Sequence, residues 1–214
     1  MTHEEPVTRA HPFDQEAWEE RYRSSQHVWS GRPNGQLVAE VADLPPGTAL
    51  DAGCGEGGDA LWLTGRGWRV TAVDFSTVAL ERAAEHAADL GLSVEWLPAD
   101  LRSWLPPASY DLVSTQFLHI PPEPRRAVFR RLAAAVAPGG TLLVVGHDAS
   151  DMAAGVRRPR TPEFFFSAAE VASDLDPAEW EVVTTDVRQR GGLDHEGGHS
   201  TVVADAVLVA RRRS

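Results

Sequence analysis

From residue 48 to residue 148 the chain alternates short apolar runs with amphipathic stretches of about ten residues. No other feature limits the fold as much. "TALDA" (48–52), "WRVTAVD" (68–74), "SVEWLPAD" (93–100), "YDLVSTQF" (110–117) and "GTLLVVGHD" (140–148) read as strands, with helical periodicity over 58–66, 76–90 and 122–136. Strands separated by helices pair in parallel through right-handed crossovers, so a sheet covered on both faces is expected. After Asp148 the rhythm changes to a loop (149–163), a short helix (167–175) and two strands, "EWEVVTTDV" and "STVVADAVLVA". The glycine-rich "RQRGGLDHEGGH" between them is too short for a helical crossover, which makes the last two strands an antiparallel hairpin. The expected fold is α/β: a doubly wound, Rossmann-like, seven-stranded, mostly parallel sheet with a C-terminal antiparallel hairpin.

Ahead of the alternation, residues 1–12 read as a loose tail and Phe13 to Ser24 as a helix, with Trp18 and Tyr22 four apart on one face. A loop (27–35) and the helix "QLVAEVADL" follow, ending at Pro45-Pro46. The 214 residues suit one domain with a sizeable core. All 20 basic residues are arginine and the net charge is −11, an acidic balance that repels phosphate backbones and argues against nucleic acid as partner. One cysteine, Cys54, rules out an intrachain disulfide and suits a reducing compartment. The polar N-terminus has no apolar leader, and no run reaches the ~18 apolar residues of a membrane span. A cytoplasmic location is expected.

The first strand breaks into Gly53-Cys54-Gly55-Glu56-Gly57-Gly58 and resumes as a helix, with Asp74 ending the next strand. That satisfies G-x-G-x-x-G with an acid about twenty residues on, an arrangement that holds a dinucleotide or any other adenosyl ligand. Asp51, two residues before the first glycine, separates the two. A carboxylate there repels a pyrophosphate but suits the ammonium and sulfonium of S-adenosylmethionine. Asp100, at the tip of the third strand, can accept from an adenine amino group. S-adenosylmethionine is therefore the expected cofactor, with a nicotinamide oxidoreductase as the weaker reading.

These residues resemble the class I S-adenosylmethionine-dependent methyltransferases over 48–147: "LDAGCGEGG", "VDFS", "PADL", "YDLVSTQFLH" and "PGG" stand in the family's order. "EAWEERYRSSQHVWSGRPNGQL" and the C-terminal "LDHEGGHSTVVADAVLVARRR" are similar to the thiopurine S-methyltransferase and tellurite-resistance branch. There an aromatic pair on a helix before the first strand closes over the cofactor. The resemblance implies a tail and lid helix (1–35), a cofactor core (48–148), a substrate-side insertion (149–175) and a hairpin (176–214). It implies cofactor contacts at Trp18, Tyr22, Trp29, Asp51, Gly53, Cys54, Gly55, Gly57, Asp74, Phe75, Asp100, Leu101 and Gln116. Gln116 departs from the thiopurine pattern, which has arginine in that loop. Cys54 reads as a small residue beneath the cofactor rather than a redox group.

Histidines 119, 147, 195 and 199 fall at the carboxyl edge of the sheet, where open α/β sheets bind ligands. His119 is the first candidate to touch or deprotonate a methyl acceptor, and His195 follows as a residue of the hairpin loop. His195-x-x-x-His199 lacks a clear third ligand, so no metal is expected. Arg157, Arg158 and Arg160 could draw an anionic acceptor, and Phe164–Phe166 should pack down on the core. A thiol, with a reference pKa near 8.5, needs no strong base, whereas a phenol near 10 does. With one base candidate, the expected reaction is methyl transfer to a small thiol or related chalcogen compound. O- or N-methylation with His119 as base, or a non-catalytic binding module, are the alternatives.

Overall fold

The computed structural model describes residues 14–153, 162–193 and 200–214. Its elements are α1 (Gln15–Ser24), α2 (Gly35–Val41), β1 (Thr48–Ala52), α3 (Gly58–Gly65), β2 (Arg69–Asp74), α4 (Thr77–Asp89) and β3 (Glu95–Pro98). There follow β4 (Tyr110–Gln116), α5 (Pro122–Ala134), β5 (Val136–His147), α6 (Ser150–Ala153), a 3-10 turn (Pro162–Phe164), α7 (Ala168–Ala172), β6 (Trp180–Leu193) and β7 (Ser200–Arg212). One seven-stranded sheet has the order β3-β2-β1-β4-β5-β7-β6. The pairs β1–β2, β1–β4, β2–β3 and β4–β5 are parallel, while β7 runs antiparallel to both β5 and β6. The doubly wound sheet and its closing hairpin are as expected.

Strand order reverses between β1 and β4. The loops leaving these two strands diverge and open a crevice at their carboxyl ends. The strands stay rigid there because both faces are packed. Leu50, Leu142, Val144 and Leu208 point to one side, against Val128, Phe129 and Leu132 of α5 and Val171 of α7. Ala49, Leu143, Val145 and Val207 point to the other, against Leu37 and Val41 of α2 and Leu63 of α3. A side-chain period of two, with apolar residues at every position, produces strands of this kind. Each fully buried leucine contributes about 1.5–3 kcal/mol. Helix starts follow the side-chain caps: Asp14, Asn34 and Ser76 accept from Ala17, Gln36 and Ala79 N–H.

Some boundaries differ from the sequence reading. β5 starts at Val136, which pairs with Tyr110 ahead of a register shift, rather than near Gly140. β6 continues through Arg188–Leu193, which their glycines mark as loop, because these residues pair with Ser200–Asp205 of β7. Gly191 meets nothing within 4 Å, so a glycine on this outer strand loses propensity but no packing. The 149–163 segment, expected to be loop, contains α6 and the start of the 3-10 turn. Phe164, Phe165 and Phe166 are buried against the core, as expected. Among the described residues no helix is long and apolar enough to cross a membrane.

Candidate active site

The floor of the crevice is the turn after β1. Gly53, Gly55 and Gly57 have φ of 79°, 52° and 77°, a region that L side chains rarely adopt. At Gly55 a Cβ would stand 2.9 Å from the Tyr22 hydroxyl and 3.3 Å from Trp29 Nε1. Only bare backbone lets the N-terminal segment come so close. Gly57, the residue preceding α3, faces the protein interior: a Cβ there would strike Trp96 at 2.6 Å and Ala83 at 2.9 Å. Its role is to let β3 and α4 approach the turn. Gly53 lies on the cavity wall, with Leu118 leaning against it.

Around this floor, acid collects. Asp51 is 1% exposed, and its Oδ2 meets no hydrogen-bond partner among the described residues. Burial pushes its carboxyl well above the usual range; Asp59 and Asp74 add to the rise and the Ala60 N–H opposes it. Burial likewise raises Asp59 to about 6, opposed by the Asn34 N–H that its Oδ1 accepts at 2.6 Å. Asp74 is raised by burial too, against the Ser76 and Gly55 N–H groups that its two oxygens accept at 2.9 Å. None of the three forms an ion pair among the described residues. Burial and the Asp74 and Asp51 charges push the Cys54 thiol up, so it stays neutral.

Above the floor lies a cavity of about 240 Å³ walled by Gly53, Asp74, Phe75, Leu101, Leu118 and His119, with Asp14, Asp100 and Arg102 also lining it. The Asp100 carboxylate accepts from the Arg102 backbone N–H (2.8 Å) and guanidinium (Nη2, 2.7 Å). These bonds hold its carboxyl below the usual range. Nothing in the residue types signals this pair; the two residues meet because the chain turns tightly after β3.

The roof is α1 and the loop behind it. Trp18 and Tyr22 are buried, with ring centroids 5.8 Å apart, and half-exposed Trp29 donates its Nε1–H to the Tyr22 hydroxyl at 3.1 Å. Glu56, inside the glycine turn, accepts the backbone N–H groups of Val28 (3.1 Å) and Trp29 (3.0 Å) and pairs with Arg82 (2.9 Å). Arg82 also donates to the Tyr22 carbonyl. Glu19 accepts the Thr77 N–H at the start of α4 (2.9 Å), and Gln15 donates to the Phe75 carbonyl (2.9 Å). Of these ties, only Glu56 had a signal in the sequence, its place within the motif.

The far end of the crevice is aromatic. Gln116, closing β4, donates to Ser114 Oγ at 2.6 Å. The next residue, Phe117, has φ 50°, an uncommon backbone state for an aromatic, and its ring lies 4.7 Å from that of His147. His119 packs against Trp18 (5.8 Å), His147 (5.2 Å) and Phe164 (5.7 Å), and its Nε2 stands 3.3 Å from His147 Nε2. The ends of β4 and β5, α1 and the segment before α7 thus converge on one imidazole pair. The sequence placed His147 only at the strand edge and missed its partnership with His119. His195, His199, Arg157, Arg158 and Arg160 lie outside the described residues.

Residues 49–140 match the methyltransferase domain family. A trans-aconitate 2-methyltransferase of Rhizobium meliloti is 37% identical over 117 residues, 53% of this chain and 43% of that protein. The 2-heptyl-1-hydroxyquinolin-4(1H)-one methyltransferase of Mycobacteroides abscessus is 30% identical over 150 residues, 63% of this chain and 65% of that protein. The chain spans about 39–51% of the length of the trans-aconitate methyltransferases it matches. Among solved structures, one from work on conversion of a disulfide bond into a thioacetal group during echinomycin biosynthesis is 26% identical. It superimposes with a TM-score of 0.73 over 93% of this chain and 91% of that one. TehB from Haemophilus influenzae shares the fold at 19% identity, with a TM-score of 0.71 over 94% of this chain and 67% of that one.

Proposed function

We propose that this chain, a class I S-adenosylmethionine-dependent methyltransferase by its domain, moves a methyl group onto the sulfur of a small thiol or related chalcogen compound. One observation carries the cofactor side: buried Asp51 and part-buried Asp59 and Asp74 cluster with raised carboxyls and form no ion pair among the described residues. The unpartnered Oδ2 of Asp51 fits an ammonium group. Each Asp74 oxygen accepts one backbone N–H and keeps capacity for ribose hydroxyls. Phe75, Leu101 and Leu118 offer apolar walls to a purine. A pyrophosphate would meet carboxylates instead of N–H donors.

When bound, S-adenosylmethionine supplies a methyl carbon already activated on a sulfonium. The protein's share is alignment and exclusion of water. Tyr22 and Trp29 cover the glycine turn, Trp18 stacks on Tyr22 and reaches His119, and His119, His147 and Phe164 wall the end toward which an acceptor would approach. A thiol is partly ionised unaided near neutral pH and needs only this alignment. Support for sulfur comes from the similarity of the aromatic N-terminal helix to the thiopurine and tellurite branch, and from the solved structure tied to disulfide-to-thioacetal chemistry. A single cysteine and an acidic balance suit a cytoplasmic enzyme of small molecules, with no nucleic acid as partner.

A second reading is favoured by relatives named for trans-aconitate, a carboxylic acid: a carboxylate oxygen also arrives ionised. The deciding experiment offers the purified chain matched thiols, carboxylates, phenols and amines at equal concentration, with products read by mass spectrometry for one added methyl. Methylated thiols are expected. Methylated phenols or amines with inert thiols would return His119 to the role of general base, and methylated carboxylates alone would select the second reading.

A further inference from the structure

The Nε2 atoms of His119 and His147 face each other at 3.3 Å, a long but usable hydrogen-bond distance. Two neutral imidazoles can bond this way only as opposite tautomers: one ring supplies the Nε2 proton and the other its Nε2 lone pair. The remaining nitrogens decide which ring does which. Nδ1 of His147 is buried and meets no hydrogen-bond partner among the described residues. A buried N–H without an acceptor is rarer in folded proteins than an acceptor without a donor. We propose that His147 holds its proton on Nε2 and donates it to His119, which holds its own on Nδ1. His147 is then a positioning residue that acts through His119.

The ring contacts keep this arrangement in place. Phe117 and Phe165 pack on His147, while Trp18 and Phe164 pack on His119, so neither imidazole can swing away without disturbing two aromatic neighbours. The consequence concerns chemistry. The Nε2 lone pair of His119 is already spent on His147. A second proton between them would set two N–H groups against each other at 3.3 Å. The lone pair left on His147 Nδ1 is buried, so in its resting form the pair removes no proton at this edge, and an acceptor must bring an atom that is already ionised. This consequence rests on the proposed acceptor class; the tautomers themselves do not.

Long-range proton–nitrogen correlation spectra of the full chain labelled with ¹⁵N read each imidazole's tautomer directly. The expected pattern is Nε2–H on His147 and Nδ1–H on His119; the reverse pattern overturns the proposal. In His147→Phe, which keeps a ring but loses the donor, His119 should lose its single-tautomer signature. His147→Gln, which restores an N–H donor, should recover it. An unchanged His119 signature in folded His147→Phe also overturns the proposal, and if that variant does not fold the parent spectrum decides alone. Failure of thiol methylation would leave these spectra as expected, so the two readings fail separately.

Discussion

Glu56 accepts the backbone N–H of Trp29 at 3.0 Å, so a residue of the glycine turn holds down the segment that roofs it. The same carboxylate takes the Val28 N–H and pairs with Arg82, and its side chain is only 9% exposed. The floor and the roof of the crevice are therefore coupled through one side chain, and anything that orders the turn also orders the segment around Trp29.

Glu56→Ala should unlatch the roof while the sheet stays folded. A hydrogen bond to a charged group contributes roughly 1.5–3 kcal/mol, so S-adenosylhomocysteine affinity should fall about 10- to 150-fold. Glu56→Gln, which keeps one acceptor oxygen, should lose less. Calorimetric titration measures both. Affinity equal to the parent's in the alanine variant would make Glu56 a packing residue only.

Acid strength gives a second outcome. Burial raises Asp51 and Asp74 above the ordinary 3.8 and Asp59 to about 6. Between those values the folded chain binds more protons than the unfolded one, so stability falls as pH rises. For Asp59 the stabilising contribution is complete below about 3.8 and is lost as pH climbs through about 6. The thermal midpoint of ligand-free protein should drop from pH 5 to pH 7, and Asp59→Asn should flatten that drop. An ammonium ligand prefers the ionised form, so S-adenosylhomocysteine affinity in the parent should rise with pH as the carboxyls ionise. In Asp51→Asn the rise should diminish. A pH-independent affinity in the parent would separate Asp51 from the ligand.

The floor of the crevice was legible in the sequence, and the reason is local. Asp51, the glycines and Asp74 lie at the ends of consecutive strands, so strand order alone brings them together. The ties of the N-terminal helix were not legible. Glu19 reaches Thr77 across 58 positions, and only the packing of α1 on α4 makes them neighbours. Arg102 lies two residues from Asp100, yet whether they pair depends on a turn that the residue types leave open. The glycines at 191 and 192 signal a loop, but pairing along β7 overrides their propensity. The facing of His119 and His147 needs two strand ends and their pairing register, which no local pattern encodes.

His119→Ala offers a third outcome. With its Nε2 engaged by His147, His119 should act as a wall. The variant should raise KM for a thiol and lower kcat by less than about tenfold, whereas loss of a general base costs roughly 10²–10⁴-fold. Steady-state kinetics with one thiol across a range of pH distinguishes the two. A kcat loss at the larger scale would restore His119 as the base.

If the carboxylate-floored glycine turn holds S-adenosylmethionine, calorimetric titration of the full chain with S-adenosylmethionine and, separately, with NAD will register it. Saturable binding of S-adenosylmethionine is predicted, with no heat from NAD. Asp74→Ala should weaken that binding by about 1.5–3 kcal/mol, the scale of a hydrogen bond to a charged acceptor. Saturable NAD binding with no response to S-adenosylmethionine would make the turn a dinucleotide site instead.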